Sequence, residues 1–154
     1  MLQDTTVVID RCAPEDCTPI ALMARRIWGE WANGMPLTRQ LLELGHPVFV
    51  AKNSDGQLIG YVVGLAEAFG SGAWILSLTV GEEHRRKGIG RRLVSAILES
   101  YRQQNVTWVG AVISANNSAS QSLFRTFGFT NKEILHNYDP EVVHYRFEVV
   151  FHAS

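Results

Sequence analysis

Short apolar segments alternate along the chain with segments whose apolar residues recur every three or four positions. The first kind predicts β-strands and the second predicts amphipathic helices. The predicted strands are Thr6–Arg11, Pro47–Lys52, Leu58–Leu65, Ala73–Val80, Val106–Ser114, Phe129–Leu135 and Val142–Phe151. The predicted helices are Pro14–Trp28, Leu37–Leu44, Gly90–Arg102 and Asn117–Phe127. This order predicts a mixed α/β sheet with helices packed on its faces.

Composition and charge narrow the class of protein. The chain has 154 residues, of which 46% are apolar, so we expect one globular domain over residues 1–154. The formal net charge of −1 argues against a nucleic-acid partner. Cys12 and Cys17 are the two cysteines and make neither a disulfide framework nor a four-ligand zinc site. We expect no metal, because His46, His136, His144 and His152 show no ligand spacing with a carboxylate or a cysteine. We expect a cytoplasmic protein without a membrane partner, because no apolar run approaches the length of a membrane span.

The segment Val80–Leu93 carries the clearest chemical signal. An apolar strand ends here, a basic turn containing Gly88 and Gly90 follows, and a two-faced helix begins. Glycines at a helix entrance let backbone N–H groups approach a ligand closely, and the helix dipole adds partial positive charge. With the cations of Arg85–Lys87, the turn suits an anionic diphosphate.

The spacing of the glycines excludes two common phosphate loops. No G-x-x-x-x-G-K-[ST] run is present, and Leu93 occupies the position of the third glycine in a dinucleotide-binding fingerprint. The remaining pattern is R-x-x-G-x-G, formed by Arg85, Gly88 and Gly90. The alternative interpretation is a solvated basic turn in which the glycines only shape the helix end.

Two linked motifs resemble the GNAT superfamily of acyl-CoA-dependent N-acetyltransferases. LTVGEEHRRKGIGRRLV, from Leu78 to Val94, is similar to the family's acyl-CoA signature. SANNSASQSLFRTFGF, from Ser114 to Phe129, resembles the family pattern N-x-x-(A/S)-x-x-L-Y-x-x-x-G-F. The order of predicted elements also agrees, so the resemblance covers nearly the whole chain. It implies a GNAT-like, mostly antiparallel, twisted sheet of about seven strands with a V-shaped splay and helices on both faces.

The resemblance implies acetyl-CoA as co-substrate and assigns residues to it. The end of the apolar strand is expected to bind the pantetheine arm, with the N–H of Val80 facing the thioester carbonyl. The glycine turn is expected to bind the pyrophosphate, and Asn117 is expected to contact the cofactor or cap its helix. The implied cofactor-binding residues are Leu78, Thr79, Val80, Arg85, Arg86, Lys87, Gly88, Ile89, Gly90, Arg91, Asn117 and Phe124.

The usual acid and base of the family are both missing. Phe124 stands where a tyrosine usually acts as general acid, and the usual positions of a glutamate base match Trp74 and Val112. Three explanations stay open: a base elsewhere, a substrate amine of low pKa, or binding of acyl-CoA without turnover. Glu67 and Tyr138 are the catalytic candidates, and their alternatives are a solvated hairpin residue and a surface turn residue.

The sequence predicts the acceptor substrate less specifically than it predicts the co-substrate acetyl-CoA. Trp31, Glu67 and Tyr138 are the candidate substrate contacts, while Trp28 is expected in the core. NSASQSLF resembles diaminobutyrate acetyltransferases, and the NYDP turn resembles ribosomal-protein alanine N-acetyltransferases. We therefore expect acetyl transfer to a primary amine of a small molecule or amino acid. The alternatives are a peptide or protein N-terminus and a non-catalytic acyl-CoA-binding domain, and a homodimer is left open.

Overall fold

The computed structural model describes residues 6–29, 38–68 and 70–152. Within these ranges the chain folds in the order that the hydrophobic pattern predicts, with one strand, two helices, three strands, a helix, a strand, a helix and two strands. The strands are β1 (Val8–Arg11), β2 (Val48–Lys52), β3 (Leu58–Ala66), β4 (Gly72–Val80), β5 (Trp108–Ser114), β6 (Thr130–Leu135) and β7 (His144–Val150). The helices are α1 (Cys17–Trp28), α2 (Thr38–Glu43), α3 (Ile89–Gln103) and α4 (Ser118–Thr126).

The strands described in the structure form a seven-stranded sheet in the order β1-β2-β3-β4-β5-β7-β6. β4 and β5 pair in parallel through Gly72–Ile75 and Trp108–Ala111. The pairings β1–β2, β2–β3, β5–β7 and β6–β7 are antiparallel. The prediction of a mixed, mostly antiparallel sheet is therefore confirmed.

The chain divides into two compact units, and β4 contributes to both. The first unit comprises Met1–Leu65 and Ser77–Ser100, and the second comprises Ala66–Leu76 and Tyr101–Ser154. In the first unit, α1 packs on β2 and β3 through a cluster of buried side chains that includes Ile20, Met23, Val48, Val50, Tyr61 and Val63. These residues alternate along their strands, as expected for one face of a sheet.

Helix α3 covers the opposite face of β3 at Gly60. A Cβ placed on Gly60 would lie 3.3 Å from Leu93 Cδ1 and 3.6 Å from Ile89 Cγ2. It would also lie 3.0 Å from the Thr79 carbonyl oxygen, so β3, β4 and α3 approach closely there. Because Gly60 precedes Tyr61 of the α1-facing cluster, α1 and α3 lie on opposite faces of β3.

The second unit has its own core on one face of β5 and β7. Val109 and Phe147 are fully buried, and Phe129 is 1% exposed. Phe124 of α4 packs edge-on against Phe129, with ring centroids 5.0 Å apart. The Arg125 guanidinium lies 5.3 Å from the centroid of the Phe147 ring, so α4 packs on this face.

The start of α1 differs from the sequence prediction. A short 3-10 helix, Pro14–Asp16, precedes α1, so the regular helix begins three residues later than predicted. Buried Asp16 accepts a hydrogen bond from the Ala13 N–H at 2.8 Å and pairs with Lys52 Nζ at 2.8 Å. These bonds hold the chain entering α1 against β2. No helix of the described residues is long and apolar enough to cross a lipid bilayer.

Candidate functional site

The glycine-rich turn follows directly from the end of β4. Gly81 N–H donates to the Ile59 carbonyl at 2.9 Å, and a 3-10 helix covers Glu82–His84. Arg86 and Gly88 then have φ values of 66° and 79°, which lie in the left-handed region. A non-glycine residue in that region costs free energy and is held there by its surroundings. The turn therefore has a defined shape rather than that of an extended linker.

Helix α3 begins at this turn with amide groups that have no helical acceptor. At this end of the helix, the Arg92 N–H donates a hydrogen bond to the Gly88 carbonyl at 3.1 Å. The N–H groups of Ile89 and Gly90 come before it and have no carbonyl of the helix to donate to. A Cβ added to Gly88 would meet no atom within 4 Å, so the space beside the turn is open. The cationic side chains of Arg85–Lys87 are exposed beside these donors.

The last residues of β4 are half-buried at Leu78 and Val80 and buried at Thr79. The Arg85 side chain folds back so that its Nε donates to the Val80 carbonyl at 3.2 Å. Thr79 Oγ1 accepts a hydrogen bond from Trp28 Nε1 at 3.0 Å. Trp28 is 41% exposed, so the expectation that it belongs to the core is wrong. Its indole N–H needs a polar partner, and Thr79 supplies it at the edge of the core.

In the second unit, Asn117 caps α4. Its Oδ1 accepts from the Ser120 N–H at 3.1 Å. Sequence reasoning missed Gln121, whose side-chain amide donates to the carbonyl oxygens of Ser114 and Ala115, both at 3.1 Å. Phe124 is 3% exposed, because its ring packs on Phe129. The cofactor contacts of Asn117 and Phe124 stay predictions.

The face of β5 and β7 opposite the core carries half-buried side chains. Trp74 of β4 covers Gly110, because a Cβ on Gly110 would lie 2.6 Å from the Trp74 ring. Val112 follows on the same face and pairs with Arg146 of β7. Arg146 forms ion pairs with Glu133 at 3.0 Å and with Glu148 at 2.6 Å. The hydrogen bond that Arg146 donates to Glu133, followed by the one it donates to Glu148, raises the pKa of Arg146, so the cation stays charged.

Tyr138 lies beside a histidine that the sequence did not single out. The rings of Tyr138 and His144 lie 4.7 Å apart between centroids. Tyr138 is 50% exposed, whereas His144 is 9% exposed. No spacing in the sequence marked His144, because its neighbours come from another strand and from the preceding loop. Tyr138 is the predicted candidate that the structure places against a second titratable side chain.

The other two predicted substrate contacts are Glu67 and Trp31. Glu67 is exposed just after β3, and its N–H donates to the Gly72 carbonyl at 3.0 Å. Glu67 therefore lies beside Gly72 at the start of β4, whereas the glycine-rich turn follows Val80 at the end of that strand. The predicted substrate contact Trp31 lies outside the described residues. The predicted site residues from Leu78 to Arg91 lie in the first unit, and Asn117, Phe124, Glu67 and Tyr138 lie in the second.

Several known proteins are similar to this chain. The L-methionine sulfoximine/L-methionine sulfone acetyltransferase of Pseudomonas aeruginosa is 32% identical over 115 residues, which cover 73% of this chain and 62% of that protein. The L-2,4-diaminobutyric acid acetyltransferase of Halomonas elongata is 34% identical over 77 residues, covering 49% of this chain and 40% of that protein. The chain thus spans about three fifths of the first relative's length.

The fold is shared with solved structures at lower identity. Naa50 of Arabidopsis thaliana in complex with a bisubstrate analogue superposes with a TM-score of 0.80 at 17% identity, covering 96% of this chain and 100% of that chain. The yncA structure from Salmonella typhimurium, solved with its cofactor acetyl-CoA, gives a TM-score of 0.77 at 21% identity over 97% of this chain and 98% of that one. The sequence profile of the acetyltransferase (GNAT) family matches residues 15–129. The chain therefore belongs to the GNAT family of acetyltransferases.

Proposed function

We propose that the protein is an N-acetyltransferase that moves an acetyl group from acetyl-CoA directly to a primary amine of a small molecule or amino acid. The observation that carries the proposal is the turn from Arg85 to Gly90 at the start of α3. It combines amide donors without helical acceptors, three exposed cations and open space at Gly88. This arrangement fits the anionic pyrophosphate of CoA.

The turn and the last residues of β4 each have a proposed role in binding acetyl-CoA. The amides of Ile89 and Gly90 donate to the pyrophosphate, and Arg85–Lys87 and Arg91 neutralise its charge. Backbone groups of Leu78–Val80 bind the pantetheine arm. The N–H of Val80 donates to the thioester carbonyl oxygen, where negative charge develops as the amine attacks. Removal of one such donor typically lowers the rate by ~10²–10³-fold.

A small amine acceptor is favoured by the names of the relatives. Relatives matched over 115 and 77 residues act, by their names, on L-methionine sulfoximine or sulfone and on L-2,4-diaminobutyric acid. Trp31, Glu67 and Tyr138 are the proposed substrate contacts. The Tyr138 hydroxyl is the proposed proton donor to the leaving sulfur, and Glu67 is the base proposed from the sequence. A peptide or protein N-terminus is the alternative acceptor, in line with the [ribosomal protein bS18]-alanine N-acetyltransferase that is 26% identical over 68 residues.

The test is CoA release from acetyl-CoA, measured with a thiol reagent. The acceptors are L-methionine sulfone, L-2,4-diaminobutyrate, linear diamines and a short peptide with an N-terminal alanine. We expect saturable release with at least one free amino acid or diamine and less with the peptide. Fastest release with the peptide supports the alternative acceptor. Tight CoA binding by calorimetry without release to any amine contradicts the proposal and supports a non-catalytic acyl-CoA-binding domain.

The proposal also covers the cellular compartment, which is the cytoplasm, and the oligomeric state. Cys12 and Cys17 are both free thiols, which is typical of the reducing cytoplasm. A homodimer stays open and is measured by sedimentation at the concentrations used in the assay.

A further inference from the structure

Direct acetyl transfer needs a base, because a primary amine with a pKa near ~10 is mostly protonated at neutral pH. Under the proposed function, on which this inference rests, the two expected base positions hold Trp74 and Val112 and accept no proton. Both lie on the half-buried face of β4 and β5. The opposite face is closed, since Val109 is fully buried and Ala111 is 2% exposed. A replacement base belongs on the half-buried face.

His144 lies on this face, one step along the ladder from Val112. β7 pairs Arg146 with Val112 and His144 with Ser114. Directly paired residues share a face, and residues two apart on a strand return to it. Val112 and His144 are therefore diagonal neighbours, and such neighbours lie ~7–8 Å apart, within reach of long or aromatic side chains.

The hydrogen bond of the His144 ring determines which nitrogen is basic. Nδ1 lies 3.0 Å from the Val142 carbonyl oxygen. A carbonyl only accepts, so the neutral ring carries its proton on Nδ1 and the lone pair on Nε2. Among the described residues, no fully buried side-chain nitrogen or oxygen lacks a hydrogen-bond partner. Nε2 forms no hydrogen bond with another described residue, so it is accessible to water.

The neighbours of His144 hold the ring in place and set its charge environment. Tyr138 packs against it from the loop before β7, with the ring centroids 4.7 Å apart. On the strand itself, Arg146 is the next residue on this face, and its charge is shared between Glu133 and Glu148. The partners of His144 on β5 and β6 are Ser114 and Leu135, which carry no charge. Within the described part of the chain, a hydrogen bond and a ring contact orient the imidazole, and it forms no ion pair.

We infer that His144 Nε2, in place of Glu67, is the general base that accepts the proton of the acceptor amine. Nε2 takes one proton from the ammonium group, directly or through one water, and later returns it to solvent. The free amine forms the C–N bond at the acetyl carbon while the C–S bond of the thioester breaks. The Tyr138 hydroxyl donates its proton to the CoA sulfur and regains a proton from the second N–H of the amine. The acceptor cation and acetyl-CoA thereby give the amide, CoA and one released proton.

The experiment compares His144→Gln with His136→Gln, which removes an exposed histidine of the same β6–β7 segment. With acetyl-CoA and the fastest acceptor of the panel, kcat/KM at pH 7 is expected to fall by ~10²–10⁴-fold in His144→Gln only. The loss should shrink towards pH 10, where the acceptor is already deprotonated, and the Kd for acetyl-CoA should not change. A wild-type pH profile in His144→Gln overturns the inference. A loss in Glu67→Gln alone overturns it and assigns the base to Glu67.

The wild-type enzyme provides a second measurement if His144→Gln fails to fold, as judged by circular dichroism. Diethyl pyrocarbonate acylates accessible imidazoles, and mass spectrometry of peptides locates the modified residue. Inactivation is expected to follow modification of His144 and to be reversed by hydroxylamine. Full activity with His144 modified contradicts the inference. Absence of CoA release by the wild type with every acceptor removes the proposed function and this inference with it, whereas an active wild type isolates the question of the base.

Discussion

The indole Nε1 of Trp28 donates a hydrogen bond to the Thr79 hydroxyl at 3.0 Å, which links the last residue of α1 to β4. Thr79 is 2% exposed, so its hydroxyl depends on protein partners rather than on water. Trp28 itself is 41% exposed and adjoins Gly29, the last described residue before position 38. The bond therefore fixes where the chain leaves α1, next to the strand proposed to bind the pantetheine arm.

Breaking this bond is expected to cost stability. Trp28→Phe removes the donor and leaves a buried hydroxyl, so the free energy of unfolding should fall by ~1–3 kcal/mol. Thr79→Val removes the acceptor with little change in shape. In a double-mutant cycle measured by urea unfolding, the coupling energy should be ~1 kcal/mol or more, since the two residues are in contact. Strictly additive effects would show that the hydrogen bond contributes nothing to stability.

Substitution of Gly88 tests the pyrophosphate site. Gly88→Glu places a carboxylate in the open space beside the amides of α3, so acetyl-CoA binding should fall below detection by calorimetry. Because φ at Gly88 is 79°, any side chain there also strains the backbone. Gly88→Ala is the matched control, since it introduces the same strain without charge. Equal acetyl-CoA affinity in Gly88→Glu and wild type would contradict the assignment of the site.

Tyr138→Phe tests the proposed proton donor. The substitution removes the hydroxyl but keeps the ring that packs on His144, and Tyr138 is 50% exposed, so the melting temperature should hardly change. If the hydroxyl protonates the leaving sulfur, kcat should fall by ~10²-fold while KM for acetyl-CoA stays constant. A large increase in the acceptor KM with unchanged kcat would instead make Tyr138 a residue that binds the acceptor.

Stability should decrease at alkaline pH because of Cys12. Burial, followed by the neighbouring Cys17 and Asp16, raises the pKa of the Cys12 thiol from 9.0 to about 12. The folded state thus keeps a proton that the unfolded state releases above pH 9, so this stabilisation is lost as the pH rises from 9 towards 12. The hydrogen bond from Lys52 to Asp16 raises the pKa of Lys52, which acts in the same direction.

The measurement is urea unfolding between pH 8 and pH 11 in the presence of a reductant. The wild type should lose up to ~1.4 kcal/mol per pH unit above pH 9 through Cys12. Cys12→Ala should lower stability at pH 8, because a buried side chain is truncated, but should give a flatter pH dependence. The same slope in both proteins would show that Cys12 does not control the alkaline limit.

Features formed by neighbours in the chain were predictable from the sequence. The order of strands and helices follows from hydrophobic periodicity, which is a local property. The turn from Arg85 to Gly90 and the two-faced helix after it are contiguous, so their chemistry could be stated before the fold was known. The boundaries were less certain, as the 3-10 helix Pro14–Asp16 ahead of α1 shows. Helix ends depend on contacts such as that of Asp16 with Lys52, which periodicity does not contain.

Only the tertiary structure decided which distant side chains meet. Trp28 and Thr79 are 51 residues apart and are joined by the packing of α1 on the sheet. His144 reaches the face of Val112 because β7 pairs antiparallel with β5 in one particular register. A shift of that register by one residue would turn the histidine to the opposite face. Strand pairing over such separations depends on the whole core, so one strand's pattern does not show which titratable side chain lies on the same face as Val112.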